Sequence, residues 1–180
     1  MKKLLLGLLL VGLPAAAQWK INPAGSTVAF KIKNAGITVD GKFTEFAATL
    51  LFDPVNGTGK FTGVIQAKSI NTGINARDNH LRKAEYFDVA SYPTLTFTGT
   101  GITKKGNGYI AKGNLTIKDV TQAVEIPFTF QEANQEGTFT GTLRIDRRTY
   151  HVGGNSWVMG DNVDIVLTIK ATQTAHMTTN

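Results

Sequence analysis

The densest group of chemistry-bearing side chains is Arg77, Asp78, His80 and Arg82, set beside the apolar Leu81 and Phe87. A guanidinium fork matches phosphate geometry, so Arg77 or Arg82 can hold an anionic head group. Asp78 with His80 has the composition of an acid–base pair. The same residues have a purely architectural use: Asp78 and Arg77 can pin a helical turn while His80 hydrogen-bonds backbone. The spacing leaves both uses open.

Elsewhere the signals for chemistry are sparse. His151 lies among Tyr150, Gly153 and Gly154, and His176 lies in a Thr/Ala-rich tail; neither has a second His or carboxylate at ligand spacing, so no metal is expected. The chain has no Gly-x-Ser-x-Gly elbow, phosphate-cradling glycine loop or zinc motif. An enzyme acting through Asp78 and His80 therefore ranks behind a binding role, and no cofactor is expected. Cys is absent, which excludes disulfides, thiolate catalysis and Cys-ligated metals.

The elements that must position these groups are strands. From Thr27 onward apolar residues recur at every second position between Gly, Asn, Asp and Pro, the period of half-buried strands. The pattern predicts eight: Thr27–Lys33, Phe43–Phe52, Lys60–Ile70, Thr94–Thr100, Gly108–Lys118, Val120–Gln131, Thr138–Arg147 and Asn162–Gln173. In the last, Val163, Ile165, Leu167 and Ile169 share one face, whereas the parity of Phe43–Phe52 is unclear. Asn56-Gly57, Asn107-Gly108 and, more weakly, Glu136-Gly137 are hairpin signals. Short connections imply antiparallel neighbours. The one irregular interval, Asn71 to Pro93, suits a helical turn from Ala76 to Ala84 capped by Asn75, placed to close one mouth of a barrel.

The ends bound the domain. Lys2 and Lys3, an apolar stretch from Leu4 to Leu13 and Ala15-Ala16-Ala17 read as a secretory signal peptide over residues 1–17, with the mature chain starting at Gln18. That places the protein in the periplasm or outside the cell. No stretch approaches the roughly 20 apolar residues of a spanning helix. Residues 18–173 form one domain, and 174–180 a frayed tail. Without Lys2 and Lys3 the formal charge of +6 falls to +4, scattered along the chain. No nucleic-acid partner is expected, while transient contact with an anionic lipid surface is compatible with that excess. Oligomeric state is left open, a homodimer included.

The segment NTGINARDNHLRKAEYFDVASYPTLTF, residues 71–97, resembles the signature of the polyisoprenoid-binding, YceI-like family through Thr72, Arg77, Asp78, His80, Leu81, Arg82, Phe87, Asp88, Tyr92, Pro93 and Phe97. The likeness extends to Trp19, Ser26, Phe30, Gly41, Phe43 and Phe52-Asp53 upstream, and to Gly113–Ile117 and Val120-Thr121 downstream. It implies an all-β, eight-stranded antiparallel up-and-down barrel of lipocalin-like form, with a short helical segment near one mouth. It also implies exported proteins that carry isoprenoid quinones, prenyl pyrophosphates or similar amphiphiles. Two departures, Asn34 where the family often has His and the altered stretch Arg147–Gly153, bear on the head group rather than the fold.

Parity and resemblance together nominate a lining of Phe30, Ile32, Phe43, Phe61, Ile65, Phe97, Leu115, Ile117, Ile126 and Phe128, joined at the mouth by Arg77, His80, Leu81, Arg82 and Phe87. His80 there is suited to a quinone carbonyl. The expected function is to bind, carry or sequester a long-chain apolar amphiphile. The rival is a ligand-free interaction module whose barrel is solid, since aromatic and branched side chains routinely fill small barrels.

Overall fold

The computed structural model describes residues 17–174. Residues 1–16 and 175–180, where most of the expected signal peptide and tail and His176 fall, lie outside the described residues. In chain order the strands are β1 (Ala17–Ile21), β2 (Thr27–Asn34), β3 (Ile37–Phe43), β4 (Phe46–Asp53), β5 (Thr58–Gln66) and β6 (Ile70–Asn71). Helix α1 (Asn75–Leu81) follows, then β7 (Thr94–Lys105), β8 (Gly108–Ile117), β9 (Val120–Ala133), β10 (Glu136–Asp146) and β11 (Met159–Gln173).

These segments form a closed eight-stranded antiparallel barrel, because three of the staves are each broken in two. In one of them β5 pairs with β4 and β6 with β3, and the break is the 3₁₀ turn Ala67–Ser69, so the expected strand Lys60–Ile70 is also interrupted. β1 and β2 make one stave: the first half of β11 pairs with β2, as in Ile165 opposite Phe30, and its last residues pair with β1, as in Gln173 opposite Trp19. β1 also pairs with β4, Trp19 opposite Leu50, and this closes the ring. The break falls at Pro23–Gly25, a 3₁₀ turn in which the Asn22 side chain accepts from Gly25 N–H. Ser26 Oγ accepts from Lys170 N–H at 2.9 Å and keeps the turn docked on β11.

β3 and β4 make the second broken stave, and here the break explains the unclear parity. Phe43 and Phe46 both pack inward although an odd number of steps separates them, so the two residues between must reverse the alternation, as a bulge does. Ser69, 6 % exposed, holds them: its carbonyl accepts from Thr44 N–H at 3.2 Å and its Oγ accepts from Glu45 N–H at 3.1 Å. The expected single strand Phe43–Phe52 is thus two, and β1 and most of β3 were missing from the sequence-based set.

The turns differ in register from their sequence signals. Asn56-Gly57 does turn the chain, with Gly57 at φ 66°. The other two hairpins turn earlier than expected, at Gly106-Asn107 and at Asn134-Gln135. Asn134 and Gln135 both have positive φ, 53° and 65°, which is the geometry that matches strand twist. α1 is shorter than expected and begins at Asn75; its N-cap is Ile74, so Asn75 is inside the helix and caps nothing.

One end of the barrel is solid. Phe52 is fully buried and meets the rings of Phe61, Tyr109, Phe128, Phe130 and Phe139 with centroids 4.9–5.9 Å away, all near edge-on. Trp19, 1 % exposed, packs beside Phe130 and Phe139 and donates from Nε1 to the Phe52 carbonyl at 3.1 Å. Each such aromatic pair contributes about 0.5–1.5 kcal/mol beyond the area it buries. At the opposite end the chain between β6 and β7, including α1, packs over the barrel.

Candidate ligand chamber

Between the aromatic end and α1 the barrel is not filled. Two apolar chambers lie end to end, with cavity volumes of about 150 Å³ toward the aromatic end and about 130 Å³ under α1. Successive inward residues of single strands pass from the first to the second: Val28 to Phe30 on β2, Leu115 to Ile117 on β8, Leu167 to Ile165 on β11. The two levels are therefore about 7 Å apart, two strand residues, and Leu95 borders both. Along β11 the inward face runs from Val163 to Ile169, about 20 Å of extended chain.

The chamber near the aromatic end is walled by Phe61, Ile65, Phe97, Leu115, Ile126 and Phe128 from the nominated set, together with Phe46, Ala48, Leu50, Phe139 and Leu167. The chamber under α1 is walled by Phe30, Ile32, Phe43, Ile117, Leu81, Phe87 and Arg77. Glycine makes room for two of these rings. A Cβ on Gly41, directly across from Phe30, would lie 2.2 Å from that ring, and one on Gly113 would lie 2.5 Å from the ring of Phe97.

The polar cluster divides. Asp78, 4 % exposed, accepts at Oδ1 from Thr72 N–H and from the Thr72 hydroxyl. Arg77 donates from Nε to Thr72 Oγ1 at 2.7 Å and from Nη2 to the Thr72 carbonyl at 2.8 Å, while its side chain borders the chamber. Arg82 borders neither chamber: it donates to the carbonyls of Lys68 and Ile70 and to Asn79 Oδ1, tying α1 to β6. His80 also points elsewhere, exposed and edge-on to Tyr86 at 5.0 Å. The helical register explains this, since His80 and Leu81 are neighbours on different faces and Leu81 takes the inward one. Asp78 and His80 accordingly share no space in which both could reach one substrate.

Sequence reasoning missed the other polar wall. Arg147, 3 % exposed, donates to the carbonyls of Gly160, Val152 and Gly154 at 2.9–3.0 Å and to Asp161 Oδ1 at 3.1 Å. A guanidinium so enclosed is tolerable because its donors are occupied and its charge is paired. Tyr150, 2 % exposed, stands beside it in the lining, and burial raises the pKa of its phenol. Neither stands in an alternating strand, since both belong to the 3₁₀ turn Arg147–Tyr150, so parity carried no signal for them. Val163 and Ile165 were legible as an inward face but were not assigned to the site. Among the described residues no three His, Asp or Glu side chains converge as a metal site would require.

This geometry has counterparts. The model of the YceI-like domain matches residues 19–171. Protein YceI of Salmonella arizonae is 38 % identical over 136 residues, covering 70 % of this chain and 71 % of that protein; a UPF0312 protein of Pectobacterium atrosepticum is 36 % identical over the same length and coverage. Among solved structures, Burkholderia cenocepacia BcnA superposes with a TM-score of 0.82 at 30 % identity, covering 85 % of this chain and all of that one. A polyisoprenoid binding domain from Saccharophagus degradans shares the fold, with a TM-score of 0.68 at 16 % identity over 88 % of this chain and 99 % of that one. With a family model spanning the barrel from Trp19 to Ala171 and relatives this similar over most of their length, the chain belongs to the YceI-like domain family.

Proposed function

We propose that the barrel binds and carries a long-chain apolar amphiphile of the isoprenoid type, a quinone, a prenyl phosphate or a related lipid. The observation that carries this reading is the pair of aligned, carbon-lined chambers at the centre of a barrel whose far end is solid. By size each chamber could hold on the order of ten waters, but water needs two to four polar partners that such walls do not offer. A branched hydrocarbon needs none. Ten buried methylene-sized groups supply about 8 kcal/mol, the equivalent of a micromolar Kd. The YceI-like family and the S. degradans domain support the isoprenoid class. The separation of Asp78 from His80 supports a carrier rather than an enzyme.

The lipid enters at the α1 end, from a membrane surface. Ile37, Ile74, Val158 and Trp157 are exposed there, and the Ala35 N–H to Val158 carbonyl bond of 2.7 Å ties the Trp157 loop to the β2–β3 hairpin. Trp suits that place, having an apolar body and a polar edge. The protein works after export: removal of residues 1–17 leaves a chain starting at Gln18, inside β1, and intact mass of the exported protein reads that start directly.

Mass spectrometry of an organic extract of natively purified protein tests the function. A stoichiometric isoprenoid or other long-chain species is the expected result. Protein free of lipid that also takes up none from vesicles would overturn the carrier reading in favour of an interaction module.

A further inference from the structure

The walls under α1 contain one enclosed polar group with nothing to bind. Arg147 spends its donors on three carbonyls and Asp161, and Thr72 is taken up with Asp78 and Arg77. Tyr150 is as deeply buried, yet among the described residues its hydroxyl makes no hydrogen bond to protein. No buried side-chain oxygen there that lacks a partner is sealed from all space. The Tyr150 hydroxyl therefore keeps some open surface, and Tyr150 is one of the residues that line the chamber. A buried phenol without a partner is costly, and buried tyrosines normally find one.

We propose that Tyr150 is the polar anchor of the chamber, donating its hydroxyl hydrogen to a neutral acceptor oxygen, such as a carbonyl, on the lipid's polar end, with the hydrocarbon tail running toward the aromatic end. The proposal rests on the carrier reading and narrows its ligand. Three features favour a neutral oxygen over a phosphate. The enclosed donor is a single uncharged hydroxyl. The buried guanidinium of Arg147 is already paired with a carboxylate. Arg77 has already committed Nε and Nη2 to Thr72. A phosphate would lose its hydration there for little return. Burial raises the Tyr150 pKa above its ordinary 10.0, so the group stays a neutral donor at every ordinary pH.

The test compares wild type with Tyr150→Phe, a change that keeps the ring. Three probes of equal chain length, a prenylated benzoquinone, a prenyl phosphate and the plain branched hydrocarbon, compete against a fluorescent lipid. Melting of the lipid-free proteins is recorded in parallel. The proposal expects the quinone to weaken about tenfold in the variant. It expects hydrocarbon binding to be unchanged or tighter, because carbon no longer covers an unpartnered hydroxyl. It also expects the lipid-free variant to melt no lower than wild type. Equal effects on quinone and hydrocarbon would overturn it, as would a lower melting temperature, which would mean that the hydroxyl serves the fold. A phosphate that binds more tightly than the quinone and ignores the substitution would also overturn it. Wild type that takes none of the probes would overturn the carrier reading and this proposal together.

Discussion

Ala48→Leu separates an open barrel from a solid one. Ala48 packs inward from β4 and borders the chamber near the aromatic end, yet its side chain is only half-buried, so its methyl faces unfilled space. The substitution adds three carbons to that space. At about 0.8 kcal/mol per buried methylene-sized group they contribute about 2.4 kcal/mol, less about 0.5–1 kcal/mol for ordering the leucine side chain. The lipid-free protein should gain about 1.5–2 kcal/mol, a rise of about 3–8 °C in Tm for a domain of this size. The same carbons exclude lipid carbons, and losing about 2.4 kcal/mol of tail burial weakens binding about 50-fold. Ala111→Leu is the contrast: Ala111 borders the same chamber but is 3 % exposed, so its methyl is already covered and the larger side chain should cost about 1–3 kcal/mol. Thermal melts of lipid-stripped protein and titration with a fluorescent lipid measure both variants. If Ala48→Leu lowers Tm as Ala111→Leu does, the space is not there and the reasoning fails.

Gly41→Ala places a carbon 2.2 Å from the Phe30 ring and should cost about 1–3 kcal/mol in urea unfolding, with most of the loss recovered by adding Phe30→Leu; no recovery would mean that the clash lies elsewhere. Ser69→Ala leaves Glu45 N–H without its acceptor and should cost about 1–3 kcal/mol, and an unchanged urea midpoint would remove Ser69 from the account of the β3–β4 break. Asp53, which accepts from Val55 N–H, Asn56 N–H and the Asn56 side chain, is held below its ordinary pKa of 3.8, chiefly by the bonds from Asn56. A lowered folded-state pKa means that its stabilisation is present above 3.8 and is lost as pH falls through the folded value. The stability difference between wild type and Asp53→Asn, followed by urea melts, should therefore shrink on acidification; a gap that widens in acid would show that the sign is wrong.

The fold was legible wherever one face is buried and the other wet. β2, β8, β9 and β11 read as strands because Val28, Phe30 and Ile32, or Val163 through Ile169, alternate without interruption, and their inward parity is the one observed. Alternation carries no information across a break, and that is where reading stopped. At Thr44-Glu45 the phase reverses, and the residue responsible, Ser69, lies far along the chain. β1 is short, and only its pairing with both β4 and β11 identifies it. Within the site, the apolar walls followed from parity and resemblance. The polar walls did not: Arg82 and Arg147 are turned by carbonyls and a carboxylate that only the tertiary structure brings near them, His80 by its place on the helix, and Tyr150 belongs to a 3₁₀ turn that alternation does not reach.

The pairing of Trp19 with Gln173 also has a kinetic consequence. The ring is sealed by the first and last strands, and Thr174 Oγ1 donates to the Gln18 carbonyl across 156 residues of chain. Contacts so distant in sequence are entropically expensive and form late, so the aromatic end, which needs Trp19 in place, is completed only when the C-terminal strand arrives. Until then the N-terminal strand has β4 as its one neighbour and its other edge is open. A chain cut short before Ala171 leaves it without that partner, and loss of the last residues of β11 should therefore be felt at Trp19, far away in the sequence.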